Sequence, residues 1–125
     1  MTEHQGLKER INSFIREIME VRGVSACVLA SRDGILMGKS FASGEVSVPS
    51  FAAMSATMLA SAEAAASISH IQPPQKVLVT SDDASVLVMS AGDRTLLAAI
   101  LDPTADTEAV YKLFTKIAAE IAEVL

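Results

Sequence analysis

Apolar residues recur at helical spacing near the start of the chain. They lie three or four positions apart and share one side of a helix, while polar and charged residues fill the other side. Gly23 is a typical residue for the end of such a helix. We therefore expect a flexible tail over residues 1–6 and then an amphipathic helix, whose apolar positions are Leu7, Ile11, Phe14, Ile15 and Ile18.

Two apolar runs follow, and the residues between them predict a hairpin. Residues 24–30 and 35–41 each have the length of a strand, and Asp33-Gly34 separates them. Asp-Gly between apolar runs is a strong hairpin signal, because a two-residue turn of this type needs positive φ at its central positions. A polar connection over residues 42–48 leads out of the second strand.

A stretch rich in Ala, Ser and Met predicts a long helix over residues 48–70. Pro49 suits the first turn of a helix, because its missing N–H is not needed there. Pro73 and Pro74 forbid continuation of the helix beyond its predicted end.

Three more strands and a last helix complete the chain. The strands are predicted over residues 76–80, 85–90 and 95–101, and the short turns between them favour an antiparallel meander. The apolar positions of the last helix are Val110, Leu113, Phe114, Ile117, Ile121 and Val124.

The resulting order, α-β-β-α-β-β-β-α, predicts an α+β fold. The strands are apolar on both faces, as in sheets that are covered on both sides. We therefore predict a three-layer α/β/α sandwich with a five-stranded antiparallel sheet, the Ala-rich helix on one face and the two terminal helices on the other. With 125 residues, the chain is expected to form one domain over residues 1–125.

The long helix carries a stripe of small residues, Ala53, Thr57, Ala60 and Ala64, at spacings of four, three and four. Such a stripe lets another helix approach closely, and we predict that this helix belongs to a second copy of the chain. The alternative is that the small residues pack only onto the chain's own sheet. We expect a bulkier face to form the core contact, and its residues are Phe51, Met54 and Met58, continued by Ala62 and Ala65.

The third strand is a second candidate for contact between chains. A flat apolar run on an uncovered edge favours pairing with another strand, although a lysine and preceding prolines are also typical of a protected edge. Pairing is the favoured interpretation, and the predicted contact residues are Lys76, Val77, Leu78, Val79 and Thr80.

Composition and charge exclude several classes of function. The formal net charge is −5 and the ten basic residues are scattered, which argues against nucleic-acid binding. Cys27 is the one cysteine, so it has no partner for an internal disulfide. No secretory signal is visible, and no apolar run approaches the roughly 18–20 residues of a membrane span. We expect a cytoplasmic protein without membrane insertion.

No pattern typical of a catalytic, cofactor or metal site is present. Cys27 lies in a predicted strand and is interpreted as a small hydrophobic residue. His70 is expected to cap the long helix rather than bind a metal, and Asp82-Asp83 is expected to form a turn. Neither a Walker-type nor a dinucleotide-binding glycine motif occurs. We therefore expect no enzyme active site, no cofactor and no metal.

The order of the elements and several local motifs resemble the Roadblock/LC7 family. The likeness covers about residues 7–125 and depends on the order and spacing of the motifs Arg22-Gly23-Val24, Asp33-Gly34, Phe51-Ala52-Ala53-Met54, Gly92-Asp93-Arg94 and Leu101-Asp102-Pro103. The resemblance implies a profilin-like fold without catalytic residues. It also implies a homo- or heterodimer in which the third strands pair into one continuous sheet and the long helices lie side by side.

Carried over to this chain, the resemblance implies strand pairing at residues 76–81 and helix pairing along the small stripe. It further implies a platform for a Ras-like small GTPase on the exposed part of the paired helices, near Thr57, Ser61 and Ser67. Arg32 or Arg94 is a candidate for a charge-stabilising finger toward such a GTPase, but a solvated turn residue is the favoured interpretation of both.

Three functional hypotheses follow. The first is a homodimeric, non-catalytic module that binds and regulates a Ras-like small GTPase, as MglB-like members of the family do. The second is a structural adaptor, like the dynein light chains of the family, in a motility, transport or polarity complex without effect on GTP turnover. The third, and least favoured, is a small-molecule sensor with a pocket between sheet and helix.

Overall fold

The computed structural model describes residues 3–41, 44 and 46–125. Met1 and Thr2 of the predicted tail, and Ala42, Ser43 and Glu45 of the predicted connection, lie outside the described residues. Within the described part, the chain forms three helices and five strands in the predicted order, namely α1 (Glu3–Met19), β1 (Val24–Ser31), β2 (Leu36–Phe41), α2 (Val48–Ile68), β3 (Val77–Thr80), β4 (Ser85–Ala91), β5 (Thr95–Leu101) and α3 (Thr107–Val124). Since α1 begins at Glu3, residues 3–6 are helical, and the flexibility of the tail stays a prediction.

The strands form one antiparallel sheet in the order β2-β1-β5-β4-β3. The strands β2 and β3 are therefore its two edges. Helices α1 and α3 cover one face, and α2 crosses the other. The predicted α/β/α sandwich is confirmed.

Each face of the sheet has its own apolar core. The core under α1 and α3 includes Ile18, Leu29, Leu97 and Phe114, all fully buried or nearly so. The core under α2 is built mostly from small side chains, which lets the helix lie close to the sheet. Its buried members are Val28, Ala30, Ala52, Ala56, Leu59, Val88, Leu96 and Ala98.

The prediction of which face of α2 contacts the sheet was partly wrong. Phe51 and Met58 pack at the border of the core, but Met54 is 58% exposed and Ala65 is exposed as well. The buried residues of α2 are instead Ala52, Ser55, Ala56, Leu59 and Ala66. Close approach of the helix backbone favours this small face over the bulkier one, because it brings more sheet atoms within contact distance.

Helix α2 ends in a Schellman motif. The N–H of His70 donates to the carbonyl of Ser67 at 3.2 Å, and the N–H of Ile71 donates to the carbonyl of Ala66 at 3.0 Å. His70 has a φ of 58°, the left-handed conformation that this position requires. The histidine thus takes the place that glycine usually holds, and Pro73 follows three residues later.

Candidate interaction surface

Most of the predicted small stripe faces away from the sheet. Thr57, Ala60 and Ala64 are exposed in the single chain. Ala53 is only half-buried, because the turn between β1 and β2 lies against it. A Cβ atom built on Gly34 would lie 2.9 Å from the Cα of Ala53, so the two backbones are in close contact. The stripe is therefore open along three of its four residues, while its first residue is partly covered within the chain.

The exposed side of α2 carries no free charge. Glu63 is the one ionisable residue between Val48 and Ile68, and its carboxylate accepts a hydrogen bond from the Arg32 guanidinium at 2.6 Å. The hydroxyl of Thr57 donates to the carbonyl of Ala53 at 3.0 Å, so this side chain presents mainly its methyl group. The surface thus offers shape and apolar contact rather than charge.

Two large apolar side chains add to this surface, and the sequence interpretation did not assign them to it. Met54 is 58% exposed and Ile68 is 79% exposed. Both lie within about 60° of Thr57 around the helix axis when each residue turns by 100°. The signal was the helical spacing itself, but α2 is apolar nearly all round, so its period does not mark the outer face.

The residues assigned to a GTPase-facing surface are all exposed, but they do not form one cluster. Thr57 and Ser61 lie one helical turn apart on the outer face. Ser67 lies about 9 Å further along the axis from Ser61 and about 120° around it, because a helix rises 1.5 Å and turns 100° per residue. The geometry therefore groups Thr57 with Ser61 and separates Ser67.

The third strand lies at an open edge of the sheet. Val77 is half-buried beneath α2, whereas Leu78 and Val79 are 43% and 46% exposed, and Lys76 and Thr80 are exposed. No strand pairs with its outer side within the described residues. Two apolar side chains and a row of free backbone groups are thus available on this edge.

A basic residue marks one end of this edge. The ammonium of Lys76 lies 3.9 Å above the centre of the Tyr111 ring, an arrangement that favours the cation electrostatically. The Tyr111 hydroxyl in turn donates to Oε1 of Gln75 at 3.0 Å. These contacts anchor the segment before β3 to α3.

The remaining candidate residues lie apart from this surface. Cys27 is fully buried in β1, and burial raises the pKa of its thiol to about 12, so it is not a nucleophile at neutral pH. Asp82 and Asp83 are exposed in the β3–β4 turn, and Arg94 is exposed in the β4–β5 turn. In the described ranges, no three His, Cys, Asp or Glu side chains are grouped closely enough to hold a metal ion.

Two further features bear on other hypotheses. By length and composition alone, α2 is apolar enough to cross a membrane, which corrects the expectation that no segment comes near such a span. In this fold the helix packs along the sheet, with Leu59 buried. A groove with a cavity volume of about 360 Å³ lies between α1 and β2, lined by residues that include Ile15, Arg16, Met19 and Lys39.

Comparison with known proteins places this architecture in the profilin-like α+β class. The structure of MglB in a tetrameric arrangement matches with a TM-score of 0.86 and 21% identity over 94% of this chain and 88% of that one. MglB of Myxococcus xanthus matches with a TM-score of 0.86 and 18% identity over 99% and 92% of the two chains. Profilin II of Acanthamoeba castellanii matches more loosely, with a TM-score of 0.60 and 13% identity over 90% and 94%.

The sequence pattern of the Roadblock/LC7 domain matches residues 11–101, and the chain belongs to this family. The match begins within α1 and ends with β5, so it includes α2 and the whole sheet. A comparison with curated protein sequences finds no match.

Proposed function

We propose that the chain is a homodimeric interaction module that binds and regulates a Ras-like small GTPase. The observation that carries this proposal is the uncharged outer face of α2, where Thr57, Ala60 and Ala64 are open to solvent. That face lies on the same molecule as the uncovered edge of β3. Both surfaces are of the kind that a second chain covers.

Self-association is supported by the chemistry of the α2 face. In a two-fold symmetric dimer each surface patch meets its own copy, so any uncompensated charge would face the same charge. The outer face of α2 avoids this repulsion, because Glu63 is already paired with Arg32. Exposed large apolar side chains such as Ile68 lose contact with water when the dimer forms, which stabilises it.

The assignment to a GTPase regulator rests on family membership and on the related folds. The chain belongs to the Roadblock/LC7 family, and MglB and MglC of Myxococcus xanthus have similar folds. The resemblance implies regulation of Ras-like GTPases by such domains. We assign the GTPase contact to Thr57 and Ser61 on the outer face of α2, with Ser67 as a more distant contact.

The proposed mechanism uses contacts rather than a catalytic group of this chain. A rigid helix pair would bind one conformation of the GTPase switch loops more tightly and so shift their population toward it. The effect on GTP turnover then depends on which conformation is favoured. Arg32 is unsuited to act as a finger in this mechanism, since its guanidinium is held by Glu63.

The experiment is a GTP turnover and binding assay with purified candidate Ras-like GTPases, with and without this chain. We expect a GTPase that binds the chain and changes its turnover, and we expect the change to be lost with Ser61→Arg. The matched control is Ala119→Arg, an exposed position on α3. Binding without any change in turnover would favour the adaptor role, and no binding to any GTPase would contradict the proposal.

A further inference from the structure

We propose that two copies of β3 pair in antiparallel orientation with Leu78 on the two-fold axis, so that each Leu78 faces Leu78 of the second copy. This inference rests on the homodimer proposed above and adds the register that the strand edge selects. It follows from three properties of β3, namely which way its side chains point, which way its backbone groups point, and which residues are apolar.

The side chains of β3 alternate between the two faces of the sheet. Val77 faces Val88 and packs with the core beneath α2, whereas Leu78 faces Leu87, which belongs to the core beneath α1 and α3. The ammonium of Lys76 lies above Tyr111 of α3, so the alternation continues one residue before the strand. Even-numbered residues of this segment therefore point toward α3 and odd-numbered residues toward α2.

This alternation excludes half of all registers. Directly opposed residues of an antiparallel pair point to the same face, and a one-residue slip sends every side chain to the wrong face. In a continuous sheet with both α2 helices on one side, Leu78 must therefore face another even-numbered residue. A register in which Leu78 faces Val79 would place α2-side residues opposite α3-side residues.

The backbone groups narrow the choice further. The N–H of Ser81 donates to the carbonyl of Ala84 at 2.9 Å, so the N–H and C=O of Ser81 point toward β4. In an antiparallel ladder this direction alternates from residue to residue. The backbone groups of Thr80, Leu78 and Lys76 consequently point outward, away from β4, and are free to bond a second chain.

A two-fold axis at Leu78 uses every one of these outward groups. Leu78 then exchanges hydrogen bonds with its own copy, and Lys76 exchanges them with Thr80 of the second copy at both ends of the pair. The neighbouring register of correct face has its axis at Val79. It pairs Leu78 with Thr80 but places Lys76 opposite Asp82, which lies in a turn rather than in the strand.

The side chains favour the same register. With Leu78 on the axis, the two Leu78 side chains meet on the α3 face, and each Val77 meets Val79 of the second copy on the α2 face. The large exposed fractions of Leu78 and Val79, 43% and 46%, are covered together. With Val79 on the axis, Leu78 meets Thr80 and Val77 meets Ser81, and the compensation is only an exposed ion pair of Lys76 with Asp82, a weak contact.

The test is disulfide trapping with single cysteines, Leu78→Cys and Val79→Cys, each in the full chain. The facing Cα atoms on the axis are about 5.5 Å apart, within the range that a disulfide spans. Under the proposed register, Val79 and its copy are diagonal neighbours roughly 7–8 Å apart, beyond easy reach. The wild-type chain is the matched control, because its own Cys27 is fully buried.

We expect mild oxidation to convert Leu78→Cys into a covalent dimer, reversibly by a reducing agent, while Val79→Cys and wild type stay uncrosslinked. Thermal unfolding followed by circular dichroism confirms that each variant is folded. Preferential crosslinking of Val79→Cys, or no crosslinking of Leu78→Cys in a chain that light scattering finds dimeric, would overturn the register and leave the dimer intact. A wild-type chain that is monomeric would instead overturn the homodimer itself.

Discussion

The guanidinium of Arg32 lies 2.6 Å from Oε2 of Glu63, although the two residues are 31 positions apart. This ion pair joins the β1–β2 turn to the middle of α2. Both side chains are about one-third exposed, so solvent weakens their attraction but does not abolish it. Its consequence for the surface is that α2 presents no free charge to a second chain.

Replacing Arg32 with Ala should reduce the free energy of unfolding by about 0.5–1 kcal/mol, because a partly exposed ion pair contributes little more than this. Chemical denaturation measures the change. The control is Arg94→Ala in the neighbouring turn, which should leave stability nearly unchanged because the Arg94 side chain is exposed. Equal effects of the two substitutions would contradict a specific role for the Arg32–Glu63 pair.

Gly34→Ala should destabilise the chain by roughly 2 kcal/mol, because the residue has a φ of 86° and its new Cβ would meet the backbone of Ala53 at 2.9 Å. Gly6→Ala is the matched control. Gly6 lies inside α1 with nothing within 4 Å of a new Cβ, so this substitution should raise stability by roughly 0.5–1 kcal/mol. Thermal unfolding should therefore move in opposite directions for the two variants.

His70→Gly should stabilise the fold by roughly 0.5–1 kcal/mol. The residue holds a left-handed conformation at the C′ position of the Schellman motif, where glycine has no steric cost. His70→Ala removes the imidazole without relieving this strain, so it should not stabilise. A gain of the same size in both variants would mean that loss of the ring, rather than relief of the backbone, is the cause.

The buried Cys27 thiol predicts a dependence of stability on alkaline pH. Burial raises its pKa from 9.0 to about 12, so the folded state keeps a proton that the unfolded state releases above pH 9. The associated stability is fully present below pH 9 and is lost as pH rises from 9 toward 12, by at most about 1.4 kcal/mol per pH unit. Other groups titrate in this range as well. The difference between wild type and Cys27→Ala in denaturation at pH 8 and pH 10 isolates the thiol, and parallel pH profiles would contradict this prediction.

The layered fold could be predicted from the sequence because its signals are local. Apolar spacing marks α1 and α3, Asp33-Gly34 marks the first hairpin, and the turns after β3 and β4 mark the meander. The boundaries of β5, residues 95–101, were predicted to the residue. Each of these elements follows from a period or a turn that lies within about ten residues.

The face of α2 that packs on the sheet could not be predicted in the same way. Ala, Ser and Met surround the helix, so no polar side contrasts with an apolar one, and Met54 was assigned to the core although it is 58% exposed. The Arg32–Glu63 pair was missed because it joins residues that only the tertiary fold brings together. The contact residues predicted for the dimer remain a prediction, and three of the four stripe residues are placed where such a contact needs them.

The most direct test of the account is the molar mass of the chain in solution by light scattering, for wild type, Ala60→Glu and Ala119→Glu. A dimer through α2 predicts twice the 13.1 kDa of one chain for wild type and for Ala119→Glu, which alters an exposed position on α3. Ala60→Glu should lower the mass toward that of one chain, since it would bury an unpaired charge between two helices. A wild-type mass of one chain, or an unchanged dimer in Ala60→Glu, would contradict the account.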